Sequence, residues 1–142
     1  LLASLELGRR RKICNVPSRT KITSSTHSFE IFSFLADLPH EEFWCSFLNR
    51  SNIVLDKIRI SKGGWSGTIV DIKIILREAL VRKTHAIIVA HNHPSENTKP
   101  SEQDIGITNK LRDAAKIMDM VLLDSLIICG KDYYSFADNG LL

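Results

Sequence analysis

The chain has 142 residues, enough for one compact domain that buries about two-thirds of its unfolded surface around a single core. Hydrophobic residues make up 44% and charged residues 25%, ordinary globular values that exclude a disordered chain, a fibrous repeat and a disulfide-dense miniature scaffold. The net charge of +3 is mildly basic, and much of the excess gathers in one run, Arg9-Arg10-Arg11-Lys12.

Residues 1–12 read as the tail of a helix that runs into this basic linker, and 13–27, rich in Ser, Thr and Pro, reads as loop. A basic run can neutralise phosphates, but no aromatic platform is interleaved with it, so a solvated linker is the stronger reading. The chain opens on Leu rather than Met, as a piece of a longer protein would. The division expected is therefore 1–27 as the end of an upstream helical segment and linker, and 28–142 as the folded domain.

Ser28 is the expected N-cap of a short helix over FEIFSFLADL, which stops before Pro39 because the residue preceding proline avoids helical geometry. FWCSFLN (43–49) and IVLDKIRIS (53–61), parted by the turn-forming Arg50-Ser51-Asn52, predict an antiparallel hairpin with one bulge. Glycines 63, 64 and 67 form a flexible connection. In 71–83, Ile72, Ile75, Leu76, Ala79 and Leu80 recur at helical spacing behind Asp71 as N-cap. Residues 86–90, AIIVA, predict a strand buried on both faces that ends at His91. A helix over 102–118 and a last strand over 120–129 complete an α/β sandwich with a mixed sheet.

The three cysteines, Cys14, Cys45 and Cys129, form no C-x-x-C pair, which favours a reducing cytoplasm over a disulfide framework or a zinc ribbon. Cys45 and Cys129 lie in apolar strands and are expected as inert core thiols. No apolar run approaches the length of a membrane span, so no membrane partner is expected. His27, His40 and His85 lack partner spacing and read as surface residues. Trp65, amid glycines, either lines a substrate groove or anchors its loop. Nothing in the sequence assigns an oligomeric state.

Chemistry concentrates in His91-Asn92-His93 and, after seven intervening residues, Ser101-Glu102-Gln103-Asp104. In extended backbone, residues i and i+2 point to one side, so both imidazoles can face a single point at the end of the strand. Zinc accepts His nitrogen and carboxylate oxygen at similar distances, and a catalytic site keeps three protein ligands and one open position; Asp104 is the third ligand. A nearby carboxylate is needed to orient water and move its proton. Glu41 and Glu42 both qualify, and chemistry alone does not choose between them. Ser101 is the candidate donor to an oxyanion, although Ser101-x-x-Asp104 after Pro100 also reads as a helix cap, and the two roles are compatible.

An upstream Glu, H-x-H, seven residues and S-x-x-D together resemble the JAMM metalloprotease signature. AHNHPS, KPSEQD and YYSFAD are similar to the RadC-like bacterial family, historically labelled DNA repair proteins, across roughly residues 13–142. That resemblance implies a JAMM-type, cytidine deaminase-like fold, one zinc ion on His91, His93 and Asp104, and a supporting Ser101. It also places the general base before the Phe of an E-x-F motif, on Glu41, and makes residues 1–12 the end of a segment with a helix-hairpin-helix-like region. Two departures stand out: Glu96 where the family commonly has Gly, and Ser125 where it commonly has His.

The function implied is hydrolysis of an amide or isopeptide bond in a peptide substrate by zinc-activated water. A nucleic-acid-associated accessory role in DNA repair, with DNA as partner and a structural or vestigial metal, is the alternative. A nucleobase deaminase is disfavoured, because the H-x-E and P-C-x-x-C elements of that chemistry are missing.

Overall fold

A computed structural model describes residues 19–63 and 69–142. Arg9–Lys12, Cys14, Trp65 and the predicted helix tail over 1–12 lie outside the described residues, as does most of the glycine-rich connection.

The first helix among the described residues, α1, spans Ser25–Phe32 and tightens into a 3-10 turn over Ser33–Asp37. Its N-cap is Ser24, whose side chain accepts from the His27 N–H, and not the expected Ser28. Ser28 instead lies buried inside the helix, its hydroxyl donating back to the Ser24 carbonyl. Several serines and threonines in succession each offer a cap, and packing decided among them by burying Ser28 and Phe32. Leu38 then takes extended geometry, φ −84° and ψ 130°, as a residue before proline does.

Strand β1, Glu42–Leu48, pairs antiparallel with β2, Val54–Lys62, and the predicted single bulge is two register shifts. Asp71 caps α2, Ile72–Val81, as its spacing predicts, accepting from the Lys73 N–H at 2.9 Å. Strand β3, Ala86–Asn92, is buried at every residue, and α3, Glu102–Ile117, leads to β4, Val121–Cys129. A fifth strand, β5 (Asp132–Ser135), was not expected; Gly130, at φ +57°, opens the tight turn that folds it back on β4. Its two tyrosines behind a Gly-Lys turn were the local signal for it.

The sheet order is β2-β1-β3-β4-β5, antiparallel throughout except for the β3–β4 pair, which α3 connects. This is the mixed α/β sheet expected. Alternation along β1 and β3 sorts the core into two layers. Phe43, Cys45, Phe47, Ile87 and Val89 pack with Ile75 and Ala79 of α2 and Leu111 and Ala115 of α3. Leu48, Ala86, Ile88 and Ala90 pack on the other face with Phe32 and Leu35, and that core reaches upstream to Ile22. Cys45 and Cys129 are buried free thiols. Among the described residues no helix is long and apolar enough to cross a membrane.

Candidate metal centre

The alternation that builds the core also builds the site, because His91 continues the series Ile87, Val89 at the carboxyl end of β3. Its imidazole therefore emerges on the α2/α3 face, stacked on Phe43, its cross-strand partner, with ring centroids 5.9 Å apart and planes 11° apart. His93 follows two residues later on the same side. Its Nδ1–H donates to the Asn97 carbonyl at 2.8 Å, which fixes the tautomer and leaves the Nε2 lone pair facing inward.

Asp104 arrives from the first turn of α3, held by a capping box. The Ser101 backbone N–H and hydroxyl donate to Asp104 Oδ2 at 2.8 and 2.7 Å, and the Asp104 N–H donates to Ser101 Oγ at 3.1 Å. With Oδ2 held in this way, Oδ1 sits 3.0 Å from His91 Nε2. Thr108, one turn further along, fastens the helix to the sheet, its hydroxyl 3.1 Å from that of buried Ser125. Position 125 therefore serves the α3–β4 interface and does not line the cleft.

The two Nε2 atoms are 3.0 Å apart, and His93 Nε2 is 3.5 Å from Asp104 Oδ2. Tetrahedral zinc with ligands at roughly 2.0–2.1 Å separates them by about 3.3 Å, so this triangle fits the ion. Among the described residues, His91, His93 and Asp104 are the one group of three or more His, Cys, Asp or Glu whose donor atoms converge in this way. His91 Nδ1 is buried with no hydrogen-bond partner among the described residues, so that ring is oriented by Phe43 and the core instead of an outer carboxylate.

Electrostatics hold Asp104 ionised and favour the protonated form of His93, whose proton a metal would displace. Burial opposes ionisation of Asp104, yet hydrogen bonds from His91, His93 and Ser101 hold its carboxyl well below the usual range. His93 is raised above its ordinary value, chiefly by Asp104, against a smaller opposing effect of burial, with help from the Asn97 carbonyl and the Glu41 charge.

Parity also separates the two glutamates. Glu41 precedes Phe43 by two residues and lines the same cleft as His91, His93 and Asp104. Glu42 points to the opposite face, where it is buried and accepts from Trp44 Nε1 at 2.8 Å, His40 Nε2 at 2.9 Å and Arg59 at 3.2 Å. His40, expected as a surface residue without a partner, is half-buried in this cluster. Burial works against Glu42's charge, but these three donors pull its carboxyl below the ordinary value.

Asn92, between the two histidines, is a residue that sequence reasoning passed over. Its Oδ1 accepts from the Glu42 N–H at 2.8 Å and its amide donates to the His40 carbonyl at 2.8 Å, which aligns the approach to β1. The signal was present in H-N-H: if both histidines face one side of a strand, the residue between them faces the other.

The loop after His93 keeps its turn despite Glu96. That residue adopts φ +59°, the left-handed conformation in which glycine is at home, and its N–H closes the turn on the His93 carbonyl. The whole cleft encloses about 680 Å³ and runs from Glu41 along the exposed side of α3 to Lys110.

Comparison with known proteins gives a consistent picture. A family model described as a RadC-like JAB domain matches residues 22–141. A UPF0758 protein of Flavobacterium johnsoniae is 45% identical over 142 residues, covering 99% of this chain and 62% of that protein. One from Porphyromonas gingivalis is 43% identical over 145 residues, with 100% and 63% covered, and one from Staphylococcus carnosus is 36% identical over 141 residues, with 99% and 62% covered. The chain thus spans just over three-fifths of the length of these relatives.

Proposed function

The chain belongs to the RadC-like JAB domain family, and from that premise we propose that it is a zinc-dependent hydrolase of amide or isopeptide bonds. The observation that carries this reading is the convergence of three ligand atoms on one point with Glu41 in the same cleft. His91, His93 and Asp104 hold the ion, which when bound supplies Lewis-acid polarisation and lowers the pKa of water at its open position toward about 7.

The remaining chemistry belongs to the chain. Glu41 orients the attacking water, takes its proton and passes it to the departing amine. Its neighbour Glu42 is not given that role, because its carboxylate lies on the other face and accepts from Trp44 and Arg59 there. Ser101 first keeps Asp104 in the ligand orientation; by rotating its hydroxyl away from Oδ2 it donates to the oxyanion of the tetrahedral intermediate. Phe43 keeps the His91 ring upright and closes the floor of the cleft.

The test begins with elemental analysis of the purified protein. One zinc per chain is expected, with loss in His91→Ala and Asp104→Ala and retention in Glu41→Gln. A folded, metal-free protein that takes up no added zinc ends this reading. The nucleic-acid alternative draws on Arg9–Lys12, which lie outside the described residues.

A further inference from the structure

The cleft continues well past the metal ligands. Its wall on α3 is a stripe made by Gln103, Gly106, Ile107 and Lys110, and its lining also includes Val70 and Ile69, the latter 87% exposed. Two members of the stripe have no explanation among the described residues. Gly106 stands inside a helix, where glycine is a poorer former than alanine, yet among the described residues outside its own helix turn nothing lies within 4 Å of the position its Cβ would take. No described neighbour requires it to be small. Lys110 and, on the loop before α3, Lys99 are exposed, and neither ammonium group has a partner among the described residues. The acidic lining of the same cleft is Glu41 and Asp104, and Asp104 is already committed to His91, His93 and Ser101. A cation at the ligands adds further positive charge.

We propose that the α3 stripe is the substrate groove, and that it selects peptides carrying a carboxylate two or three residues from the scissile bond; this rests on the hydrolase reading above. Lys110 lies six positions beyond Asp104, about 9 Å along the helix axis. An extended peptide advances about 3.3 Å per residue, so that distance corresponds to two or three residues. Gly106, between the two, leaves the helix surface flat where a peptide backbone passes. Ile107, Val70 and Ile69 supply apolar contact beside it. The anion is taken to be a peptide's because the hydrolase reading requires a peptide, and because among the described residues the lining offers no exposed aromatic side chain for bases to stack on, Phe43 being 4% exposed.

Fluorescence polarisation on the zinc-loaded chain tests this with labelled phosphinic peptides, whose central phosphinate takes the ligand position. The peptides carry Asp or Asn two or three residues to either side. At least one Asp probe is expected to bind about fivefold tighter than its Asn twin at low salt, and to lose that margin at roughly 0.5 M salt. Lys110→Gln should remove most of the margin with zinc content unchanged. Gly106→Leu should weaken both twins about tenfold, while Gly106→Ala raises the melting temperature. Equal binding of every Asp and Asn pair overturns the proposal, as does displacement of the Asp probe by a short oligothymidylate more readily than by the unlabelled Asp peptide. If the protein holds no zinc, the hydrolase reading fails by itself. The groove is then read from the amide shifts of Gly106 and Lys110 with plain Asp and Asn peptides, where equal perturbation overturns it as well.

Discussion

At the end of β1 and β3 the two faces of the sheet carry nearly the same residue types and use them in opposite ways. On the α2/α3 face, Glu41, His91 and His93 line an open cleft, with Nε2 lone pairs turned toward a common point. On the α1 face, Glu42, His40 and Asn92 spend their hydrogen-bonding capacity on one another, on Trp44 and on Arg59. One residue step along a strand separates a group that lines the cleft from a group consumed by the cluster on the other face. Residue type thus says little about role here; the face of the sheet says most of it.

The sharpest way to break that comparison is a matched pair of substitutions. Glu41→Gln should lower the hydrolytic rate by about 10²- to 10⁴-fold with zinc retained and stability little changed. Glu42→Gln should leave the rate per folded molecule close to wild type and instead cost about 1–3 kcal/mol of stability in denaturant titration, because it disturbs a buried acceptor with three donors. If the two effects were exchanged, the assignment of faces would be wrong.

Metal removal addresses the cleft side alone. Zinc at one hundred times its Kd should stabilise the protein by about 2.7 kcal/mol, seen as a rise in Tm that a chelator reverses and that His91→Ala lacks. The effect should weaken as pH falls, because protons compete for His93 Nε2 and the pKa of that group is raised.

The other face also loses stabilisation as pH falls, through a different group. Glu42 has a lowered folded pKa, so its contribution is present above the unfolded carboxylate value and is lost as pH falls through the folded one. Glu42→Gln should therefore flatten the acid limb of the stability curve, and an unchanged limb would show that the His40–Glu42–Arg59 cluster adds nothing. The smallest effect is expected at Glu96. Relief of its left-handed backbone in Glu96→Gly should add up to about 1 kcal/mol, less the extra chain entropy of glycine, with zinc affinity unaltered. A clear fall in Tm would mean that the Glu96 side chain does more than occupy the turn.

What could be read in the sequence were features whose cause is local. Asp71 as a cap, the 3.6-residue period behind it, the apolar run 86–90 of β3 and the His91-x-His93 spacing each depend on a few neighbouring residues, and each stands in the structure where the sequence puts it. Spacing and ligand chemistry offered Asp104 as the third ligand, and the family pattern added the choice of Glu41 over Glu42 as an expectation. Tertiary structure decided the rest, because it depends on which face a strand turns to its neighbours. Cross-strand register sends Glu41 to the cleft and Glu42 to the cluster around His40. Packing chose Ser24 over Ser28 as the cap of α1, and the Gly130 turn returned β5 to the sheet. The cleft wall of Ile69, Gly106 and Lys110 joins segments far apart along the chain, and a local pattern of hydrophobicity or charge holds no record of that meeting.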